Sequence, residues 1–309
     1  MEGITESEPS EGFDGRLRHA AMAWLAELAR RGQDLVTFDQ LADFHFEQHR
    51  IPLMDRQRGI RKPAVLDAAL SFRTTFTPPG QIPPYDDAQG PDGLLRYKYR
   101  GDDPQHPENV ALRRAFEHRL PLIWFYGIAR AVYLPRYPVW LVADEPDQLQ
   151  FAVALDGAQL FVPAEAHLDP EQRRYVDRLT KQRLHQPVFR ARVLQAYGQQ
   201  CAMCRLRHSQ LLDAAHILPD GHPRGLPIVP NGLALCKIHH AAYDQNLIGV
   251  RRDLVVDVRT DILHEIDGPM LQHGLKEMAG VHLLVPRQRT ARPDPDFLEE
   301  RYQTFRAAG

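Results

Sequence analysis

Cysteine is scarce in this chain, with three among 309 residues, at positions 201, 204 and 236. So low and odd a count in a chain this long excludes a disulfide framework. Long apolar runs are missing too. Nothing approaches the roughly 18 residues that a membrane-spanning helix needs, so no membrane partner is expected. Nor is there an excess of one sign of charge, since 38 Lys and Arg stand against 40 Asp and Glu, a net charge of −2. That balance excludes a globally basic nucleic-acid binder and confines any basic surface to local patches. The opening stretch MEGITESEPSEGFDG lacks the basic and apolar regions of a signal peptide. It reads as a disordered lead over residues 1–13, and the expectation that follows is a cytoplasmic protein.

The length and an ordinary apolar content of 43% suggest two domains, each with its own core. In DGRLRHAAMAWLAELARR, Leu17, Ala21, Trp24, Leu25 and Leu28 fall on one helical face. TFDQLADFHFEQ, from Thr37, reads as a second helix with a threonine cap. PPG, IPPY and PDG crowd residues 77–93 and mark a turn-rich loop. Beyond it, LLRYKYRG reads as a strand and ENVALRRAFEHR as a helix. PLIWFYGI, AVYLPRYPVWLVADE and LQFAVAL read as strands of one sheet. Helices first and strands later give an α+β pattern for residues 14–165. A charged helix is expected within a linker over 166–186, followed by a second domain over 187–309.

All three cysteines lie in that second domain. CAMC supplies Cys201 and Cys204, and CKIH supplies Cys236 and His239. A Cys-x2-Cys turn aims two thiolates at one tetrahedral ion, and Cys-x2-His adds a thiolate and an imidazole. Together they make a Cys3His set suited to a structural Zn2+. Between the pairs, LLDAAHI reads as a strand with Asp213 on it and His216 near its end, where a catalytic group is held firmly yet exposed. LPDGHPRGLPIVP is too rich in proline and glycine for a helix. Asn231 then precedes a run read as helical, and serves either as its N-cap or as a brace across the loop. His240 and Asp244 stand four apart on one helix face, where both can ligate a second divalent ion.

Cys-x2-Cys, Ala-His-Ile and Asn-Gly-Leu-Ala-Leu-Cys-x2-His-His-x3-Asp resemble the HNH nucleases, a family of ββα-metal fingers. The resemblance implies a ββα-metal domain with a zinc knuckle that hydrolyses phosphodiester bonds and leaves 5′-phosphate and 3′-hydroxyl ends. It assigns the general base to His216, the loop brace to Asn231, and a Mg2+ or Mn2+ site to His240 and Asp244. Many members place a ligand immediately before the first histidine, where this chain has Ala215. Asp213 is the nearest substitute ligand.

The whole chain resembles the sulfur-binding-domain type of HNH restriction enzymes (type IV), which recognise phosphorothioated DNA. The residues that suggest it are the GIRKP loop, YRG at 99–101 and RYP at 136–138. On that resemblance the first domain is the DNA-recognition module. Its contacts with double-stranded, modified DNA are expected from Arg58, Arg61, Lys62, Tyr99, Arg100, Tyr137 and Pro138. Cleavage of two strands by a one-site nuclease would be met by a homodimer. Two other readings fit the same sequence: an HNH nuclease with a methyl- or sequence-specific reader, and a zinc-stabilised DNA-binding protein without catalysis.

Overall fold

Leu17, Ala21 and Leu25 recur every four residues, so a helix through them lays one apolar stripe against a core. In the computed structural model these residues are all but inaccessible, within helix α1 (Phe13–Arg30). Trp24 and Leu28 pack at the margin of the same core. Arg18 is buried beside them, donating to the carbonyls of Pro121 and Ala69 at 2.8 and 2.9 Å. The structure describes residues 12–77, 89–90, 92–161 and 170–309. The expected disordered lead lies almost wholly outside the described residues, and so does most of the turn-rich loop at 77–93.

The chain forms two compact units, residues 1–184 and 185–309. In the first, Thr37 caps α2 (Phe38–Ala42) in a capping box with Gln40. This helix is far shorter than its sequence suggests. A tight hairpin pairs His45–Phe46 with His49–Arg50, and Glu47 and Gln48 at its turn take positive φ angles of 45° and 65°. A seven-stranded sheet follows among the described residues. Its strands are β1 (Val36–Thr37), β2 (Ile60–Arg61), β3 (Ser71–Thr74), β4 (Leu95–Lys98), β5 (Leu122–Ala129), β6 (Val132–Glu145) and β7 (Gln150–Ala154). The order is β2-β3-β5-β6-β7-β4, with β1 on β6. Among the neighbouring pairs of these described strands, only β3 and β5 pair in parallel. The three strands expected between 121 and 155 are present, and helix α3 (Pro107–Glu117) precedes them. Helix α4 (Pro170–Thr180) lies near the end of this unit.

The second unit opens with α5 (Gln186–Ala196). Strand β8 (Leu212–His216) pairs antiparallel with β9 (Gly232–Cys236), from Leu212↔Cys236 to His216↔Gly232. Residues 232–236 are thus a strand, where a helical run was expected. They are buried throughout, so they lack the alternation that would have given the strand away. Helix α6 (Lys237–Asp244) follows β9 without a loop and completes a ββα unit. A hairpin of β10 (Ile248–Val250) and β11 (Val256–Val258) comes next, and α7 (Pro295–Ala307) lies near the C-terminus. Among the described residues no helix is long and apolar enough to cross a membrane.

Candidate metal centres and active site

The β9–α6 junction puts two adjacent histidines into different surroundings. His239 is buried, and its Nδ1 lies 3.4 Å from Cys201 Sγ and 3.1 Å from Cys236 Sγ. With Cys204 these residues place four ligand atoms within 4.8 Å of one another. Around a tetrahedral zinc such atoms stand about 3.5–3.8 Å apart, so the donor set and its spacing suit that ion. His239 Nε2 donates to the Gly274 carbonyl at 2.8 Å, which leaves Nδ1 as the ligand nitrogen. Hydrogen bonds from Cys204 and Cys236 hold the Cys201 thiol far below the usual thiol range. Burial lowers the His239 pKa, but its bonds to Cys201 and Cys204 outweigh this and raise it to about 10. The cluster therefore favours positive charge at its centre, supplied by a proton on His239 or by a cation in its place.

His240 turns to the other side of α6. Its Nε2 is 3.3 Å from Asp244 Oδ2, and its Nδ1 is 3.6 Å from Asp213 Oδ2. The two nitrogens of one imidazole point apart, so Asp213 and Asp244 face opposite edges of the ring. Asp213 also faces Lys237 at 3.2 Å and Arg190 at 3.7 Å. Ala215, at the position where many family members carry a ligand, is fully buried.

His216 ends β8 and stacks on Phe189, with ring centroids 4.1 Å apart at 22°. Asn231 is fully buried. Its Oδ1 accepts from the Leu218 N–H at 2.9 Å, and its Nδ2 donates to the carbonyls of Leu218 and Leu226, each at 3.1 Å. The side chain thus braces the loop after His216; the residue that caps α6 is Cys236. His216, His222, His240, Asp244, Glu300 and Arg301 are among the residues lining one cleft of about 570 Å³.

The residues 201–251 that build this arrangement match the family model described as HNH endonuclease. This segment is an HNH endonuclease domain. The protein is accordingly a nuclease, and the HNH domain supplies the cysteine-rich cluster and most of the residues that line the cleft. A comparison with curated proteins finds no match. Among solved structures, a modification-dependent TagI restriction endonuclease matches at 16% identity and a TM-score of 0.28, over 77% of this chain and 82% of that one. The type IV phosphorothioation-dependent restriction endonuclease ScoMcrA matches at 14% identity and 0.22, over 61% of this chain and 55% of its own.

Arg301 and Glu300 of α7 belong to the cleft beside the HNH domain, and neither stood out in the sequence. Arg301 is buried, lies over the Tyr243 ring at 4.7 Å and donates to the Tyr243 carbonyl and Asn246 Oδ1. It thereby satisfies carbonyl groups at the C-terminal end of α6, where a cation is favoured.

In the first unit the expected DNA contacts separate. Arg58 and Lys62 are exposed, and Arg61 is half-buried with Nε on the Pro52 carbonyl at 3.0 Å. Arg100 is exposed and paired with Glu108 at 2.7 Å. The other oxygen of Glu108 accepts from the Ile60 N–H at 3.2 Å, so one buried carboxylate ties the GIRKP loop to the YRG turn. Asn109 fixes the Arg100 backbone from both sides. Tyr137 is half-buried against the core, and a cis peptide joins it to exposed Pro138. Tyr99 is a correction: it is 2% exposed, packed on Phe151 and hydrogen-bonded to Asp144 and Arg113. Burial and Asp144 push its pKa up to about 12, and its ring offers DNA no surface.

Proposed function

We propose that this nuclease is a metal-dependent DNA endonuclease that restricts modified DNA, with phosphorothioated DNA as its substrate class. The observation that carries the cutting half is the shared cleft, which gathers His216 from a strand end and His240 and Asp244 from one helix face. In this reading His216 takes the proton from the attacking water. Asn231 fixes the loop on which that imidazole ends, and Phe189 holds its plane. His240 and Asp244 hold a Mg2+ or Mn2+, and Asp213 sets the ring of His240 from its far edge. Such an ion supplies Lewis-acid stabilisation of charge on the phosphate and on the leaving 3′ oxygen. Cys201, Cys204, Cys236 and His239 hold a structural Zn2+.

The reading half rests on the sequence resemblance and on the Glu108 bridge between the two basic segments. Arg58, Arg61, Lys62 and Arg100 would grip phosphate. Tyr137 and exposed Pro138 would face the sulfur, which is larger and less hydrated than oxygen and so favours an apolar surface.

The test is cleavage of three matched duplexes, plain, cytosine-methylated and phosphorothioated, with Mg2+ or Mn2+. The expected result is cleavage of the phosphorothioated duplex at least tenfold faster than of the other two. Preference for the methylated duplex would move the reader to methyl recognition, and equal rates on all three would remove modification dependence. Binding without cleavage in every metal would point to a zinc-stabilised DNA-binding protein.

A further inference from the structure

The loop between His216 and Asn231 carries two donors that converge on one carboxylate. His222 Nε2 lies 3.0 Å from Glu300 Oε1, and the Arg224 guanidinium is paired with Glu300 Oε2. The geometry points to a subsite for a DNA backbone phosphate formed by His222 and Arg224, which Glu300 occupies while no DNA is bound.

Four observations support this. First, the His222 tautomer is set for an anion. Its Nδ1 accepts from the Arg224 backbone N–H at 3.2 Å, so the proton of the neutral ring sits on Nε2, facing Glu300. Second, the Arg224 guanidinium lies over the Phe297 ring at 5.4 Å, which holds its plane. Third, the loop keeps its shape by contacts that do not involve Glu300. The His222 N–H donates to the Pro219 carbonyl and the Gly225 N–H to the His222 carbonyl, both at 2.8 Å. Asn231 holds the Leu226 carbonyl. The turn is so tight that a Cβ on Gly225 would lie 1.9 Å from the Pro219 carbonyl oxygen, which only glycine avoids. Fourth, His222 and Glu300 line the same cleft as His216, His240 and Asp244.

Two oxygens of a phosphodiester can take the places of two carboxylate oxygens against the same pair of donors. A carboxylate left in a DNA cleft repels the backbone, but its ion pairs here are partly exposed and such pairs are weak. A phosphate can therefore displace it. Glu300 on this view lowers affinity for DNA in general, and the site gains a phosphate contact only once the carboxylate has moved aside.

This inference rests on the reading of the cleft as a DNA site. The experiment measures binding of a labelled duplex to the full chain by fluorescence anisotropy. It is done in a His216→Ala background to prevent cleavage, between about 50 and 200 mM salt. Glu300→Gln is expected to tighten binding about three- to tenfold. Arg224→Ala is expected to weaken it on every sequence tried and to reduce the salt slope by about one. If Glu300 merely pins the loop, Glu300→Gln will bind equally or more weakly, which overturns the subsite. A lowered melting temperature with tighter binding still supports it, because loss of a brace cannot create affinity. No binding by the parent protein at any salt would overturn the DNA reading itself, and this inference with it.

Discussion

His216→Ala is expected to lower the rate of DNA cleavage by about 10²–10⁴, the usual contribution of a positioned general base. Bound metal should be unchanged, and stability should fall by no more than about 1 kcal/mol, the scale of one ring–ring contact. The ground for a large catalytic and a small structural effect is the geometry. The ring ends its strand, half-buried, with one face on Phe189 and an edge on the cleft. It is remote in role from the cysteine cluster, whose ligand atoms it does not join. Single-turnover cleavage, metal content and thermal melting check the three parts. A variant that cuts at the parent rate would remove His216 from the reaction.

Cys201→Ser is expected to act the other way, through the fold. Cys201 and His239 are buried at the centre of the cluster, and Cys236 is only 5% exposed. The backbone around them joins separate segments: Cys201 N–H bonds to Leu206, Ala202 N–H to Ala234, and Leu284 N–H to Ala202. A structural zinc contributes on the order of 10 kcal/mol of apparent binding free energy that is also folding free energy. Loss of one thiolate should therefore reduce zinc from about one per chain towards none. Cooperative melting of residues 185–309 should go with it, and so should cleavage. Zinc analysis and differential scanning calorimetry read both effects. Full zinc content with an unchanged melting temperature would exclude Cys201 from the site.

Much of the cutting domain was legible in the sequence because its chemistry is local. Cys-x2-Cys, Cys-x2-His and the four-residue step from His240 to Asp244 are set by the geometry of one turn, so spacing alone places those side chains together. The strands from 122 to 154 were legible from β-rich runs bounded by turn residues. Other features depend on contacts that spacing does not encode. The run at 232–236 carries no alternation because both its faces are buried. Glu300 and Arg301 reach the cleft from a helix more than 50 residues beyond α6. Tyr99 reads as a surface aromatic among basic residues, but Asp144 and Arg113 satisfy its hydroxyl within the fold. Glu108 looks like an ordinary first-turn acid, yet it joins two basic segments nearly 40 residues apart. The Asp213 carboxylate stands 3.6 Å from Nδ1 of His240, a pairing across two elements that a two-residue strand period does not encode.

In the proposed function, adjacent His239 and His240 serve two metal centres, one that holds the domain together and one that cuts. The most direct measurement is a titration of Mn2+ into zinc-loaded, chelator-washed protein, reading plasmid cleavage and zinc content together for the parent chain and Asp244→Asn. The expected result is no cleavage before Mn2+ is added, a saturable onset as it is added, and zinc constant at about one per chain. In Asp244→Asn the onset should shift at least tenfold to higher Mn2+ while zinc is retained. Cleavage that needs no added ion, or that is unaffected by Asp244→Asn, would contradict the claim.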